Sequence, residues 1–174
     1  NTLLKMLASP ETKRKAFGLI VSQYSEMLYW KIRHFVLYHD DADDVMQNVL
    51  MKAWMNIDRF KADSKISTWL YSIAVNESLD FLRRKKNVAD ADADLYAARH
   101  LMADEYFDGD ATEALLQEAI ARLPDMQRTV FLLRYHDEMK YSEMSKMLER
   151  TEVALKANYH IAAQKVLDYI KHRD

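Results

Sequence analysis

Apolar residues recur at spacings of three and four along most of this chain, the period of an α-helix buried on one side. Over residues 13–38, Phe17, Ile20, Val21, Tyr24, Leu28, Ile32 and Phe35 follow that rhythm. Over residues 43–57 one row holds Val45, Val49, Ala53 and Ile57, with Met46, Leu50 and Trp54 beside it. The far side of that second helix shows Asp44, Gln47, Asn48, Met51 and Met55. Two methionines in a polar face suit an adaptable protein-binding surface, or a position covered by another helix of the same domain. The paired acids Asp43 and Asp44 read as helix-start charges.

A third pattern runs through "STWLYSIAVNESLDFLRRKK", Ser67–Lys86. At about 100° per residue, Leu70, Tyr71, Ala74, Val75, Ser78, Phe81 and Leu82 share the core side. Trp69, Ser72, Asn76, Asp80 and Arg83 fall opposite, and Ser67 or Thr68 is placed to cap the helix. Asn and Arg side chains reach base edges, and Arg and Lys neutralise phosphates. The same stripe also fits a solvated face on which Asp80 pairs with Arg83 or Arg84.

The C-terminal block breaks into shorter helices. Residues 113–123 end at Pro124, which stops one helix and helps start "DMQRTVFLLRY". The segment from Ser142 onward reads as a short helix, a break at Glu149–Thr151 and a longer helix, the helix-turn-helix pattern. In the last helix Leu155, Tyr159, Ala162 and Val166 form the core stripe. Val153, Lys156, Ala157, His160 and Gln164 face outward, with Asn158 at the margin. No strand alternation and no internal repeat interrupts these periods, and the fold class expected is all-α.

Composition narrows the picture. Two glycines and two prolines among 174 residues leave little turn material for an all-β fold. The chain has no cysteine, which excludes disulfides and thiolate metal sites and fits a reducing, cytoplasmic setting. No apolar run approaches the roughly 20 residues of a membrane span. The opening residues lack the apolar core of a secretory signal. The six histidines show no ligand spacing on one face and no glycine-rich phosphate loop exists, so no metal, cofactor or enzymatic activity is expected.

Charge changes the picture more by its distribution than by its net value of −2. Residues 1–86 carry 14 basic and 10 acidic side chains, residues 87–113 one and eight, and residues 114–174 ten and nine. The middle stretch, with "ADADAD" and Gly109 between two aspartates, reads as an acidic linker, although a short helix over Leu95–Met102 is compatible with it. The expected organisation is two small helical domains, 1–88 and 113–174, joined by the linker 89–112.

Three stretches, in this order and separation, resemble the extracytoplasmic-function group of bacterial RNA polymerase sigma factors. "DADDVMQNVLMKAW" is similar to that group's D-A-x-D-x-x-Q-x-x-x-x-x-x-W helix. "RFKADSKISTWLYSIAVNESLDFLRRKK" resembles its F-x-x-x-S-x-x-x-x-W-L-x-x-I-A-x-N-x-x-x-D-x-x-R segment. "AIARLPDMQRTVFLLRYHDEMKYSEMSKML" resembles the start of its second domain. The resemblance implies a transcription initiation factor whose partners are core RNA polymerase, promoter DNA and an anti-sigma factor.

It also implies a division of labour. Asp44, Gln47, Asn48 and Met51 would meet the polymerase. Phe60, Lys61, Ser64, Lys65, Trp69, Asn76, Asp80, Arg83 and Arg84 would meet the opened −10 strand, with Asp80 holding Asn76 and Arg83 in position. Arg150, Lys156, Asn158, Tyr159 and His160 would meet the −35 duplex, and the acidic linker would occupy the polymerase's RNA path. Some positions depart from the group: Asn48 stands for an acid, Leu50 for an aromatic, Glu149 for the turn glycine and Asn158 for an arginine. The competing readings are a helix-turn-helix regulator that acts without polymerase, and a helical adaptor without DNA.

Overall fold

The computed structural model describes residues 2–60, 65–85 and 111–172, and no strand occurs among them. The linker, with its compatible helix at Leu95–Met102, lies outside the described residues, as do Lys61 and Ser64. The helices are α1 (Thr2–Ala8), α2 (Lys13–Val36), α3 (His39–Asn56), α4 (Ile66–Lys85), α5 (Ala111–Ala121), α6 (Asp125–Phe131), α7 (Tyr141–Leu148) and α8 (Glu152–Lys171). A 3₁₀ turn, Ile57–Arg59, extends α3, and a π-helical turn, Leu132–His136, extends α6. The chain forms two compact units, 1–78 and 79–174, so the boundary between them falls inside α4.

In the N-terminal unit the expected rows are buried. Ile20, Leu28, Ile32 and Phe35 of α2, Val45, Val49 and Ala53 of α3, and Ile57 of the 3₁₀ turn after it are all at or below 3% exposed. Phe17, Val21 and Tyr24 are only half-buried, because Ala16 takes the inward position one residue earlier. The face of α4 with Leu70, Tyr71, Ala74, Val75 and Ser78 is buried, while Phe81 and Leu82 are half-buried. Phe17 meets Trp54 edge-on at 5.2 Å, and Lys13 lies over the same indole at 4.5 Å while pairing with Asp58 at 3.0 Å.

Two sequence expectations are corrected here, and one helix is added. Helix α3 begins at His39, so the acids of its first turn are Asp40 and Asp41, while Asp43 and Asp44 lie in the second turn. Asp43 instead pairs with His39 at 3.2 Å. Helix α4 begins at Ile66, which puts Ser67 and Thr68 inside its first turn rather than at its cap. The opening residues, read only for a signal sequence, form α1, whose Met6 carbonyl accepts a 2.7 Å hydrogen bond from the Thr12 hydroxyl.

The turn between α2 and α3 is tight because one residue takes positive φ. Leu37 has φ 74° and ψ −42°, and the Tyr38 N–H donates to the Val36 carbonyl at 2.9 Å, closing a γ-turn of the strained hand. A buried arginine holds it: Arg33 Nε donates to the Leu37 carbonyl at 2.7 Å.

The C-terminal unit buries Ile120, Val130, Leu133, Met144, Leu155 and Ala162 at 2% exposure or less. Pro124 stands just before α6, where its missing N–H costs nothing. Helices α7 and α8 are separated only by Glu149, Arg150 and Thr151. Glu149 adopts the left-handed conformation, φ 55° and ψ 46°. Thr151 caps α8 by accepting from the Ala154 N–H at 3.2 Å. Short helix, left-handed turn and capped second helix make the helix-turn-helix expected from the sequence.

Candidate nucleic-acid interface

Helix α3 turns its inner row into the core, and the opposite face follows from that. Asp44, Gln47, Met51 and Met55 are exposed, the two methionines at 60% and 69%, and Asn48 is half-buried. Exposed thioethers give up apolar contact area that a partner can recover.

The face of α4 rests on the same logic, with one element the periodicity did not reveal. Glu77 lies on the core side, 4% exposed, and its carboxylate pairs with Lys52 of α3. Lys31 of α2 sits 4.3 Å from the centre of the Tyr71 ring. A carboxylate three residues from Ala74 and four from Phe81 stands on the buried stripe, and that spacing was the signal for a cationic partner. These ties fix the rotation of α4, so Asn76 and Arg83 face outward.

Along that outward stripe, Arg83 Nη1 donates to Asp80 Oδ1 at 3.3 Å. The Asn76 amide donates to the Ser72 carbonyl of its own helix at 3.0 Å. Arg83, Arg84 and Lys85 occupy the last turn of α4, where cations complement the helix dipole. At the other end, Phe60 and Trp69 are half-buried with ring centres 5.5 Å apart, and Lys65 is exposed. An aromatic pair and an amide mark the first part of α4 and a run of cations closes the helix, groups able to stack on bases and pair with phosphates of an unpaired strand.

In the C-terminal unit, the N-terminal half of α8 carries Lys156 and His160 exposed and Asn158 half-buried, its amide donating to the Ala154 carbonyl at 3.0 Å. Arg150 is exposed in the turn, and its carbonyl accepts from the Ser145 hydroxyl at 2.6 Å. Tyr159 sits between the two faces. It is half-buried, with its ring stacked on Phe131 at 5.7 Å, and Phe131 is stacked in turn on Tyr135 at 5.2 Å. Burial pushes its hydroxyl above the ordinary value of 10.0, with Tyr141 and Tyr135 adding to the rise and Arg134 opposing it. Lys156 lies 5.7 Å from the Tyr141 ring centre, and Arg134 lies 4.9 Å from it. Neither Tyr141 nor Arg134 was among the expected site residues.

The described residues hold no cluster of His, Cys, Asp or Glu able to bind a metal. None of their helices is long and apolar enough to cross a membrane.

Comparison with known proteins decides the family. The Sigma-70 region 2 family model matches residues 20–88, and the Sigma-70, region 4 model matches residues 113–166. The ECF RNA polymerase sigma factor SigW of Bacillus subtilis (strain 168) is 33% identical over 156 residues, spanning 83% of each chain. This chain belongs to the ECF sigma factors. Like them, it is a transcription initiation factor that directs RNA polymerase to promoters. The RNA polymerase sigma-H factor of Pseudomonas aeruginosa is 29% identical over 147 residues, covering 78% of this sigma factor and 76% of that one.

Two solved structures share the fold. The sigma factor RpoE, in complex with the anti-sigma factor NepR from Bartonella quintana, superposes with a TM-score of 0.66 at 19% identity. The match covers 90% of this chain and 98% of that one. CnrH, in complex with the cytosolic domain of CnrY, superposes with a TM-score of 0.67 at 22% identity, over 99% and 96% of the two chains.

Proposed function

We propose that this sigma factor divides its task between its two helical blocks. Residues 1–88 bind core RNA polymerase through the Asp44, Gln47, Asn48 and Met51 face of α3. They hold the opened −10 strand along Phe60, Trp69, Asn76, Arg83 and Arg84, with Lys61, Ser64 and Lys65 completing the loop ahead of α4 and Asp80 anchoring Arg83. Residues 113–174 place α8 in the −35 major groove, where Lys156, Asn158 and His160 face the duplex, with Arg150 at the turn and Tyr159 at the margin. The acidic linker 89–112 follows the RNA path of the polymerase. The protein catalyses no reaction of its own and works in the cytoplasm, where the polymerase is.

The observation that carries this reading is the pair of outward faces on α3 and α4, two helices tied to each other by Lys52 and Glu77. Buried ties lock α3 and α4 together, which leaves the methionine face of one and the Asn76–Arg83 stripe of the other exposed. A regulator acting on duplex DNA alone has no use for the first face, and an adaptor has no use for the second. The structural neighbours were solved with an anti-sigma factor and with a cytosolic domain. A protein inhibitor covering the exposed methionines would silence this chain by competing with polymerase.

The test is reconstitution. Mixed with core RNA polymerase and promoter DNA, the wild-type chain yields start-site-specific transcripts. Met51→Asp with Met55→Asp abolishes polymerase association while leaving the helical circular dichroism unchanged. Association that survives the double substitution removes α3 from the polymerase interface.

A further inference from the structure

Sulfur in this chain sits only in thioethers: there are ten methionines and no cysteine. An oxidant that meets the protein therefore finds no thiol to consume it first. Exposure divides the methionines sharply. Met51 and Met55 are 60% and 69% exposed, and no other methionine among the described residues is exposed. Met139, Met144 and Met147 lie in the C-terminal unit at 9% or less, and the remaining described ones are half-buried. The exposed two are four residues apart on α3, which makes them neighbours on one strip of helix surface. They stand away from the buried row of Val45, Val49 and Ala53, so a chemical change at either sulfur leaves the core packing untouched.

We propose that Met51 and Met55 form a reversible oxidation site through which peroxides weaken the chain's hold on core RNA polymerase. This rests on the assignment of the α3 face to polymerase and gives that face a means of regulation. The thioether sulfur attacks one oxygen of the peroxide, and the S–O bond forms as the O–O bond breaks. The departing hydroxide takes the proton left on the transferred oxygen. Sulfur is thus oxidised by two electrons to the sulfoxide, and hydrogen peroxide is reduced to water. A flexible apolar side chain becomes a polar, chiral one. Pressed against a partner that offers no donor, the new oxygen costs free energy where the thioether gained it. The fold persists, because neither side chain belongs to the core, while the interface is lost. Reductases that return each sulfoxide epimer to the thioether reverse the change. Polymerase seated on α3 shields both sulfurs, so the free chain responds and the assembled holoenzyme does not.

In the experiment the free full chain is treated with hydrogen peroxide, the peroxide is removed with catalase, and core polymerase is titrated in. Peptide mass spectrometry should place the first oxygen additions on Met51 and Met55, with Met139, Met144 and Met147 unmodified at the same dose. Polymerase affinity should fall about ten-fold or more, which corresponds to about 1.4 kcal/mol, while the thermal midpoint stays unchanged. Methionine sulfoxide reductases should restore the affinity. Met51→Leu with Met55→Leu, compared with itself before and after treatment, should lose none. Holoenzyme assembled before treatment should be modified at these two positions several-fold more slowly. First oxygen additions elsewhere overturn the site. A leucine variant that weakens on treatment as much as wild type traces the loss to another residue and overturns it too. If both sulfoxides form and affinity holds, Met51→Asp with Met55→Asp decides between two failures. Association lost with the aspartates keeps α3 at the polymerase and overturns the switch alone. Association retained removes α3 from that interface, and the switch with it, as does equal modification of free and assembled chain.

Discussion

Glu149 and Tyr159 show how single side chains carry different loads in one helix-turn-helix. A non-glycine residue in the left-handed conformation costs roughly 1–2 kcal/mol, and Glu149 bears that cost at φ 55°. Glu149→Gly relieves it but adds freedom to the unfolded chain worth about 0.4–1 kcal/mol. A net gain between about 0 and about 1.6 kcal/mol is expected, read as a rise of up to a few degrees in the thermal midpoint. Tyr159 is tested by titration. Its folded state holds the phenolic proton more tightly than the unfolded chain does, because the side chain is half-buried. The stability this contributes is complete below the unfolded value near 10 and is lost as pH rises through the folded one. The phenolate absorbance that separates wild type from Tyr159→Phe should therefore appear with a midpoint above 10. A midpoint at or below 10 contradicts the burial.

At the scale of elements, the Lys52–Glu77 pair joins α3 to α4. Glu77 is almost wholly buried while Lys52 is half-exposed, with side chains 5% and 54% accessible. Lys52→Ala leaves a buried carboxylate without its cation, a loss of about 1–3 kcal/mol. Solvent screening at Lys52 puts the expected value near the lower end. Replacing both partners with Lys52→Met and Glu77→Leu should recover most of the loss, since an apolar pair of similar volume leaves no charge stranded. Urea denaturation of the full chain compares the three, and a double variant no better than Lys52→Ala would contradict the pairing.

The same elements show what could be read in advance. The rows Val45, Val49, Ala53, Ile57 and Leu155, Ala162, Val166 are buried as their spacing required, because a helix with one apolar stripe has a single way to bury it, while Tyr159 of the second row is only half-buried. The outward faces followed from those rows. Helix starts were less legible: α3 and α4 both begin upstream of their expected acidic or capping residues, because a cap preference of about 1 kcal/mol is small beside what the rest of the helix contributes. Glu77 and the Arg134–Tyr141–Lys156 cluster escaped because each joins residues from separate helices, and a period along one helix carries no information about its neighbour.

For the whole molecule, the central claim is that two helical blocks read two separate promoter elements for one polymerase. Start-site-mapped transcription by holoenzyme from a promoter library randomised at both elements tests this directly, with wild type, Asn76→Ala with Arg83→Ala, and Lys156→Gln. The account predicts that the α4 variant loses sequence preference at −10 positions alone and that the α8 variant alters preference or output through the −35 element alone. Both variants relaxing the same element, or wild-type holoenzyme showing no preference at either, would contradict it.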